Sequence, residues 1–160
     1  MALFPSGKGG GESVNYGYKG KGVTNHFLAD GNGNPLAVSV TPANGSERDE
    51  AIKLIDSRLS FFASRKITFL EADKGYDSMN FRISLVERLI FPLVGKRGER
   101  KKSHIKKYIT TSSRWKIERL FAWIQRTYRR LVVRWERKLE NWKGFLNIAC
   151  ALRWIKNLLR

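Results

Sequence analysis

The chain has 160 residues, enough for one domain with a core of its own. A hydrophobic share of 42%, with 12% aromatics, excludes a disordered chain. Lys and Arg number 31 against 14 Asp and Glu, a formal charge of +17 that exceeds what solubility requires and points to nucleic acid as partner.

Nonspecific adhesion to RNA is the plain alternative for such a charge. The single cysteine, Cys150, rules out a disulfide framework or a zinc knuckle and reads as a buried thiol. No signal peptide is recognised and no apolar run is long enough to span a bilayer, so a cytoplasmic, reducing location is expected.

Residues 1–22 are rich in glycine and lysine and read as a leader loop, with residues 23–160 as the domain. These glycines match no phosphate-binding loop, because no Gly-Lys-Ser/Thr at the required spacing opens a helix. Two β-rich runs, Val23 to Ala29 and Leu36 to Thr41, flank Asp30-Gly31-Asn32-Gly33-Asn34-Pro35. That is a hairpin signal, and it makes Asp30 a turn former rather than a catalyst. Ser46 is placed to cap a helix, with Glu47, Asp49 and Glu50 set against its dipole. Ile52, Ile55, Leu59 and Phe62 recur at helical spacing and carry it to about residue 63.

A short apolar strand, Ile67 to Ala72, then stops abruptly at Asp73-Lys74-Gly75-Tyr76-Asp77. A buried strand ending in an acid is how α/β folds hold a carboxylate at a sheet's C-terminal edge, so Asp73 is a candidate metal ligand. The alternative is a carboxylate that merely caps a turn or helix. A helix is expected from about Ser78 with Phe81, Leu85 and Leu89, or a near register, on its apolar face, followed by a strand from Leu89 to Val94. Gly95 to Lys107 carries Lys96, Arg97, Arg100, Lys101, Lys102, Lys106 and Lys107, opposed by Glu99 alone. Such a run is a solvated loop or, beside a carboxylate site, a clamp on phosphates. His26 and His104 lack a ligand-spaced partner; the first reads as a strand residue and the second as part of this loop.

From Ser112 the pattern is helical to the end, broken near 128–138. Ile117, Leu120, Phe121, Ile124 and Tyr128 form one buried stripe, and Glu118 sits on its rim with Arg114 one turn earlier. Glu118 is therefore a second candidate acid; an ordinary surface ion pair with Arg114 is the competing reading. The last helix, about Leu139 to Leu158, buries Trp142, Phe145, Leu146, Ala149 and Leu152. No internal repeat is visible.

The ordered blocks Lys19-Gly20, His26 to Gly33, Pro35-Leu36, Thr41 to Asn44, Ala72 to Asp77, Arg114 to Trp123, Arg134 to Arg137, Leu139 to Trp142 and Ala149 to Leu152 resemble the DDE transposases of bacterial insertion sequences, families four and five. The likeness covers nearly everything past residue 7. It implies an α/β fold of the ribonuclease-H-like, retroviral-integrase-like kind, a mixed sheet flanked by helices, here lacking its first strand. Asp73 would be the second acid of the triad and Glu118 the third. The family's Tyr-Arg-Glu-Lys pattern is kept at Arg114 and Glu118, whereas Thr111 stands for the Tyr and Gln125 for the Lys, with Arg126 beside it. The first acid would precede the hairpin, yet residues 1–22 contain no Asp and only Glu12.

By this resemblance the chain is the C-terminal portion of a transposase, cutting and joining double-stranded DNA at terminal repeats and target. An upstream segment, in an overlapping frame or lost, would supply the first Asp. Mg²⁺ or Mn²⁺ ions, about 4 Å apart, would be held by Asp73 and Glu118 together with that acid. Lys74, Lys96, Arg97, Arg100, Lys101, Lys102, Arg114 and Arg126 would contact DNA, and the active form would be a homo-oligomer with no membrane attachment. The alternative is a non-catalytic DNA-binding fragment.

Overall fold

The computed structural model describes residues 1–61, 67–95 and 114–159. Two strands arise within the first 22 residues, where a loop was expected: β1 (Ala2–Leu3) and β2 (Asn15–Gly17). Both pair antiparallel with β3 (Gly20–Ala29), which starts three residues earlier than its apolar run suggested. Strands of two and three residues show no alternation to read, and their pairing comes from the long neighbour. The leader's glycines have a packing reason. Gly9 and Gly11 lie on the main chain of Trp135 and Arg137, where any Cβ would collide.

β3 continues through the expected hairpin into β4 (Pro35–Pro42), in register from Val23↔Pro42 to Leu28↔Ala37, with a shift before Ala29↔Pro35. Asp30 is the turn former the Asp-Gly signal indicated: its Oδ1 accepts from the amides of Asn32 and Asn34 at 2.9 and 2.8 Å. Helix α1 (Glu47–Phe61) follows, and the Asp49 amide donates to Ser46 Oγ at 3.3 Å. Phe62, the last residue of its expected stripe, lies outside the described residues. Next come β5 (Phe69–Ala72), α2 (Met79–Glu87) and β6 (Phe91–Val94), with β6 parallel to β5. Ser78 caps α2 through Phe81 N at 3.2 Å. Helices α3 (Arg114–Thr127) and α4 (Leu139–Leu158) complete the chain.

Leu89 departs from the sequence reading. It is 86% exposed with φ 57°, because α2 ends at Glu87, two residues before it. The amides of Ile90 and Leu89 bond back to Leu85 O and Val86 O, closing the helix as a Schellman turn with Leu89 in the left-handed position. Leu152 departs likewise at 41% exposure, since α4 buries Trp142, Leu146 and Ala149 instead. Cys150 packs against that core, and burial pushes its thiol up to about 12.

Alternation along β3 separates two cores. Val23 and Phe27 face Leu120, Phe121 and Ile124 of α3 with Trp142 and Leu146 of α4. Leu28 faces the opposite side, against a core of Ile55, Phe81, Leu85, Ile90 and Val94. The result is a mixed α/β fold with helices on both faces of the hairpin. Among the described residues, the β5–β6 pair forms no hydrogen-bonded ladder with the four-stranded sheet.

Met1 extends the β1–β3 ladder: Phe27 N donates to Met1 O at 2.9 Å, and the Met1 ammonium donates to Phe27 O at 3.2 Å. Burial lowers this amine from 8.0 to about 6, against the opposing pull of Glu47 and Asp73. A cation whose folded pKa lies below its unfolded value destabilises the fold at pH values under both. That cost disappears as the pH rises through 6 to 8, because the unfolded chain there binds more protons. Stability of the 160-residue chain is expected to rise by about 2–3 kcal/mol over that interval. Urea titrations at pH 5.5 and 8.5 measure it, and N-terminal acetylation should remove this part of the slope.

Candidate active site

Asp73 follows the last residue of β5 directly, so a strand fixes its position, as its sequence context suggested. Its carboxylate also does the capping job that was the alternative. Oδ1 accepts from Lys74 N at 2.7 Å and opens the short 3-10 turn Lys74–Tyr76. That turn is held from α1, a support not legible in the sequence. The Arg48 guanidinium donates to Gly75 O at 3.2 and 2.8 Å through Nε and Nη2. Tyr76 is buried in the turn near Glu47; burial first, and Glu47 second, push its phenol far above the ordinary range. Beyond the turn, Arg82 donates to Asp77 at 3.0 and 2.8 Å and to Val94 O at 2.6 Å, tying the start of α2 to the end of β6.

Glu118 projects from α3, and a single guanidinium joins it to Asp73. Arg114 Nη1 lies 3.1 Å from Asp73 Oδ1, and its Nε lies 3.1 Å from Glu118 Oε1. Forty-one residues separate Asp73 from Arg114, so this contact is tertiary. The three side chains are each about half exposed, at 46%, 48% and 50% for Asp73, Arg114 and Glu118. The i,i+4 ion pair expected of a plain helix surface is thus present, and the same arginine brings two acids from different elements to one cation. Two carboxylate oxygens converging on one positive centre form the hard donor set that Mg²⁺ and Mn²⁺ prefer. Mg²⁺ is commonly held by one or two carboxylates with waters and substrate phosphates completing its shell. The two acids supply oxygen donors of that kind, and here Arg114 lies between them, bound through two different nitrogens. Among the described residues, no group of three or more His, Cys, Asp or Glu side chains gathers at one point.

The remaining expected residues are spread more widely. Lys74 is exposed beside Asp73, and its side chain passes close to Gly95, where the basic run begins. Lys96, Arg97, Arg100, Lys101 and Lys102 lie outside the described residues, as do His104 and Thr111. Arg126 is exposed in the last turn of α3, about 12 Å along the axis from Glu118 at 1.5 Å per residue. At the start of α3, Arg119 stacks on half-exposed Trp115 at 4.1 Å, and Lys116 bonds Gly31 O of the hairpin turn. Lys116 and Trp115 were not singled out as site residues. Only their position inside the Arg114 to Trp123 block marked them. His26 is a buried strand residue, as expected, with Nε2 2.8 Å from Thr41 Oγ1.

A carboxylate at a strand end and another on a neighbouring helix thus stand together on a strongly basic mixed α/β domain. The Transposase DDE domain family matches residues 5–154, and the chain belongs to it. It is 35% identical over 136 residues to a Burkholderia cepacia protein assigned as the transposase for insertion sequence element IS402. That alignment covers 82% of this chain and 62% of the relative, so the chain spans less than two thirds of the relative's length. No solved structure matches the chain. No helix among the described residues is long and apolar enough to cross a membrane.

Proposed function

We propose that this chain is the greater part of a transposase catalytic domain of the ribonuclease-H-like kind. In this reading it acts in the cytoplasm, cutting and joining DNA strands at the ends of an insertion sequence. The observation that carries the reading is the convergence of Asp73 and Glu118 on one guanidinium. In this reading both acids are metal ligands, and a further acid comes from a segment upstream of residue 1. A divalent ion held there supplies Lewis-acid stabilisation of the developing phosphoryl charge and an activated hydroxyl nucleophile.

The chain's own residues carry the rest. Arg114 holds the two carboxylates in place, and with a metal bound there it would contact a DNA phosphate. Lys74 and Arg126 neutralise phosphates on either side, with Lys96, Arg97, Arg100, Lys101 and Lys102 extending the track. The charge of +17 supplies a strongly salt-dependent hold on the duplex. The active form is a homo-oligomer, each copy acting on one DNA end.

The test compares the 160-residue chain with a longer version carrying upstream residues that include an acid, on a duplex ending in a terminal repeat. Both are expected to bind DNA, with affinity falling steeply between 50 and 200 mM salt, as phosphate-dominated binding does. Nicking is expected of the longer version alone, in Mg²⁺ or Mn²⁺ and not in EDTA. Binding without nicking by both, with or without metal, would favour a non-catalytic DNA-binding fragment.

A further inference from the structure

The hairpin that joins β2 to β3 takes no part in the chemistry described above. Gly17 pairs with Gly20, so Tyr18 and Lys19 alone form its tip. Tight turns of this kind call for glycine, asparagine or aspartate. The turn at the other end of β3 obeys that rule, with Asp30 Oδ1 accepting from the amides of Asn32 and Asn34. At the β2–β3 tip the unusual backbone angle falls on the flanking Gly20, whose φ is 109°. Neither Tyr18 nor Lys19 is there to make the turn.

Nor do they pack. Tyr18 is 104% exposed and belongs to neither core. One pair down the stem, Tyr16 is 70% exposed and stands opposite Lys21, whose ammonium lies 5.8 Å from the centre of the ring. The stem itself is fixed, because Gly17 lies on the main chain of Ala43, where any Cβ would collide. Between Glu12 and Asp30 the sequence contains Lys19 and Lys21 and no Asp or Glu. Solvated tyrosine rings beside ammonium groups, on a seated stem, suit a ligand that is both planar and polyanionic. Bases stack on such rings, and lysines neutralise the phosphates between them. Below the tip is a hollow of about 110 Å³, lined by Leu3, Tyr18, Lys19, Ala43 and Glu47 among others. Glu47 also lies near Tyr76 of the Asp73 turn, and with Asp73 it acts on the Met1 amine. It thus connects the tip with the candidate site.

We propose that the β2–β3 hairpin is a contact for single-stranded nucleic acid: the Tyr18 ring stacks on an unpaired base, and Lys19 and Lys21 hold the phosphates flanking it. Bases inside a duplex have both faces covered by their neighbours, so the hairpin distinguishes a single strand from paired DNA. That the strand belongs to the end of an insertion sequence rests on the transposase reading; the stacking does not.

The experiment titrates the 160-residue chain with a fully paired duplex and with the same duplex carrying a short single-stranded tail. Salt is kept near about 200 mM, where nonspecific phosphate binding is weakened. Tyr18→Leu is expected to bind the tailed duplex about tenfold more weakly, while affinity for the paired duplex changes by less than about twofold. Tyr18→Phe keeps the ring and should match the parent on both. A 2-aminopurine placed in the tail should be dimmer when bound by the parent or Tyr18→Phe than when bound by Tyr18→Leu. Because Tyr18 touches neither core, the three chains should share one Tm. Undiminished binding of the tailed duplex by Tyr18→Leu, or an equal loss on both DNAs, would overturn the proposal. Replacing Lys19 and Lys21 together by alanine should reduce the slope of log affinity against log salt by about 1.5 on the tailed duplex. An unchanged slope would remove the lysines from the contact. None of these readouts involves cleavage. Stacking in the absence of nicking by the longer version leaves the hairpin assignment standing and removes the transposase reading; nicking without stacking does the reverse.

Discussion

Asp73→Asn and Glu118→Gln are each expected to reduce DNA strand cleavage by about three orders of magnitude, close to 4 kcal/mol of transition-state stabilisation, in the longer, cleavage-competent protein. Each substitution removes one negative charge and leaves shape nearly unchanged. Asp73 sits at the end of β5 on a turn pinned by Arg48 and Tyr76, so the backbone there has little reason to move when the carboxylate becomes an amide. Glu118 is half exposed on α3, and its loss frees one side of Arg114. Both sites are solvated ion pairs, which contribute only about 0–1 kcal/mol to stability, so folding should survive. Removing a negative charge from a chain of +17 should leave DNA binding equal or slightly tighter. The informative outcome is therefore a split: cleavage lost, affinity kept, Tm within a few degrees. Retained cleavage in either variant would exclude that residue from the chemistry.

Trp142→Ala is expected to unfold the chain or bring it close to unfolding. Trp142 is fully buried where α4 meets β3, and its indole N–H donates to Asn25 Oδ1 at 2.9 Å. Truncating a buried aromatic costs about 3–5 kcal/mol through lost burial and the cavity left behind. Stranding the Asn25 oxygen adds about 1–3 kcal/mol. The sum is comparable to the whole stability of a domain this size, roughly 5–15 kcal/mol. Trp142→Phe fills most of the cavity and loses only the hydrogen bond, so it should fold with a reduced urea midpoint. A Trp142→Ala chain as stable as the parent would mean that α4 does not hold the sheet as described.

The sequence disclosed the local devices and hid the tertiary ones. The Asp30-Gly31 turn, the Ser46 cap, the helix start near Ser78 and the strand ending at Asp73 all follow from neighbours in the chain, and all are found. Leu89 was misplaced because an apolar residue one turn past Leu85 looks like the next helical position until the chain is seen to reverse there. Strands β1 and β2 were invisible because they are defined by the hydrogen bonds β3 makes with them, not by their own pattern. At the site, each acid could be nominated from its own element. That Arg114 would reach both of them could not, since its spacing to Glu118 is helical while its approach to Asp73 depends on how α3 lies over β5. Arg48 and Tyr76, which steady the Asp73 turn, sit in no recognisable motif with it.

The most direct test of the account is whether Asp73 and Glu118 hold one metal ion together. Mn²⁺ added to the isotope-labelled longer version, which carries the upstream acid, broadens backbone resonances within reach of its bound position. The account expects broadening centred on both Ala72–Lys74 and Arg114–Glu118 at the same Mn²⁺ concentrations, abolished by Asp73→Asn and by Glu118→Gln alike. Broadening at one segment only, or broadening that survives either substitution, would contradict a shared metal site.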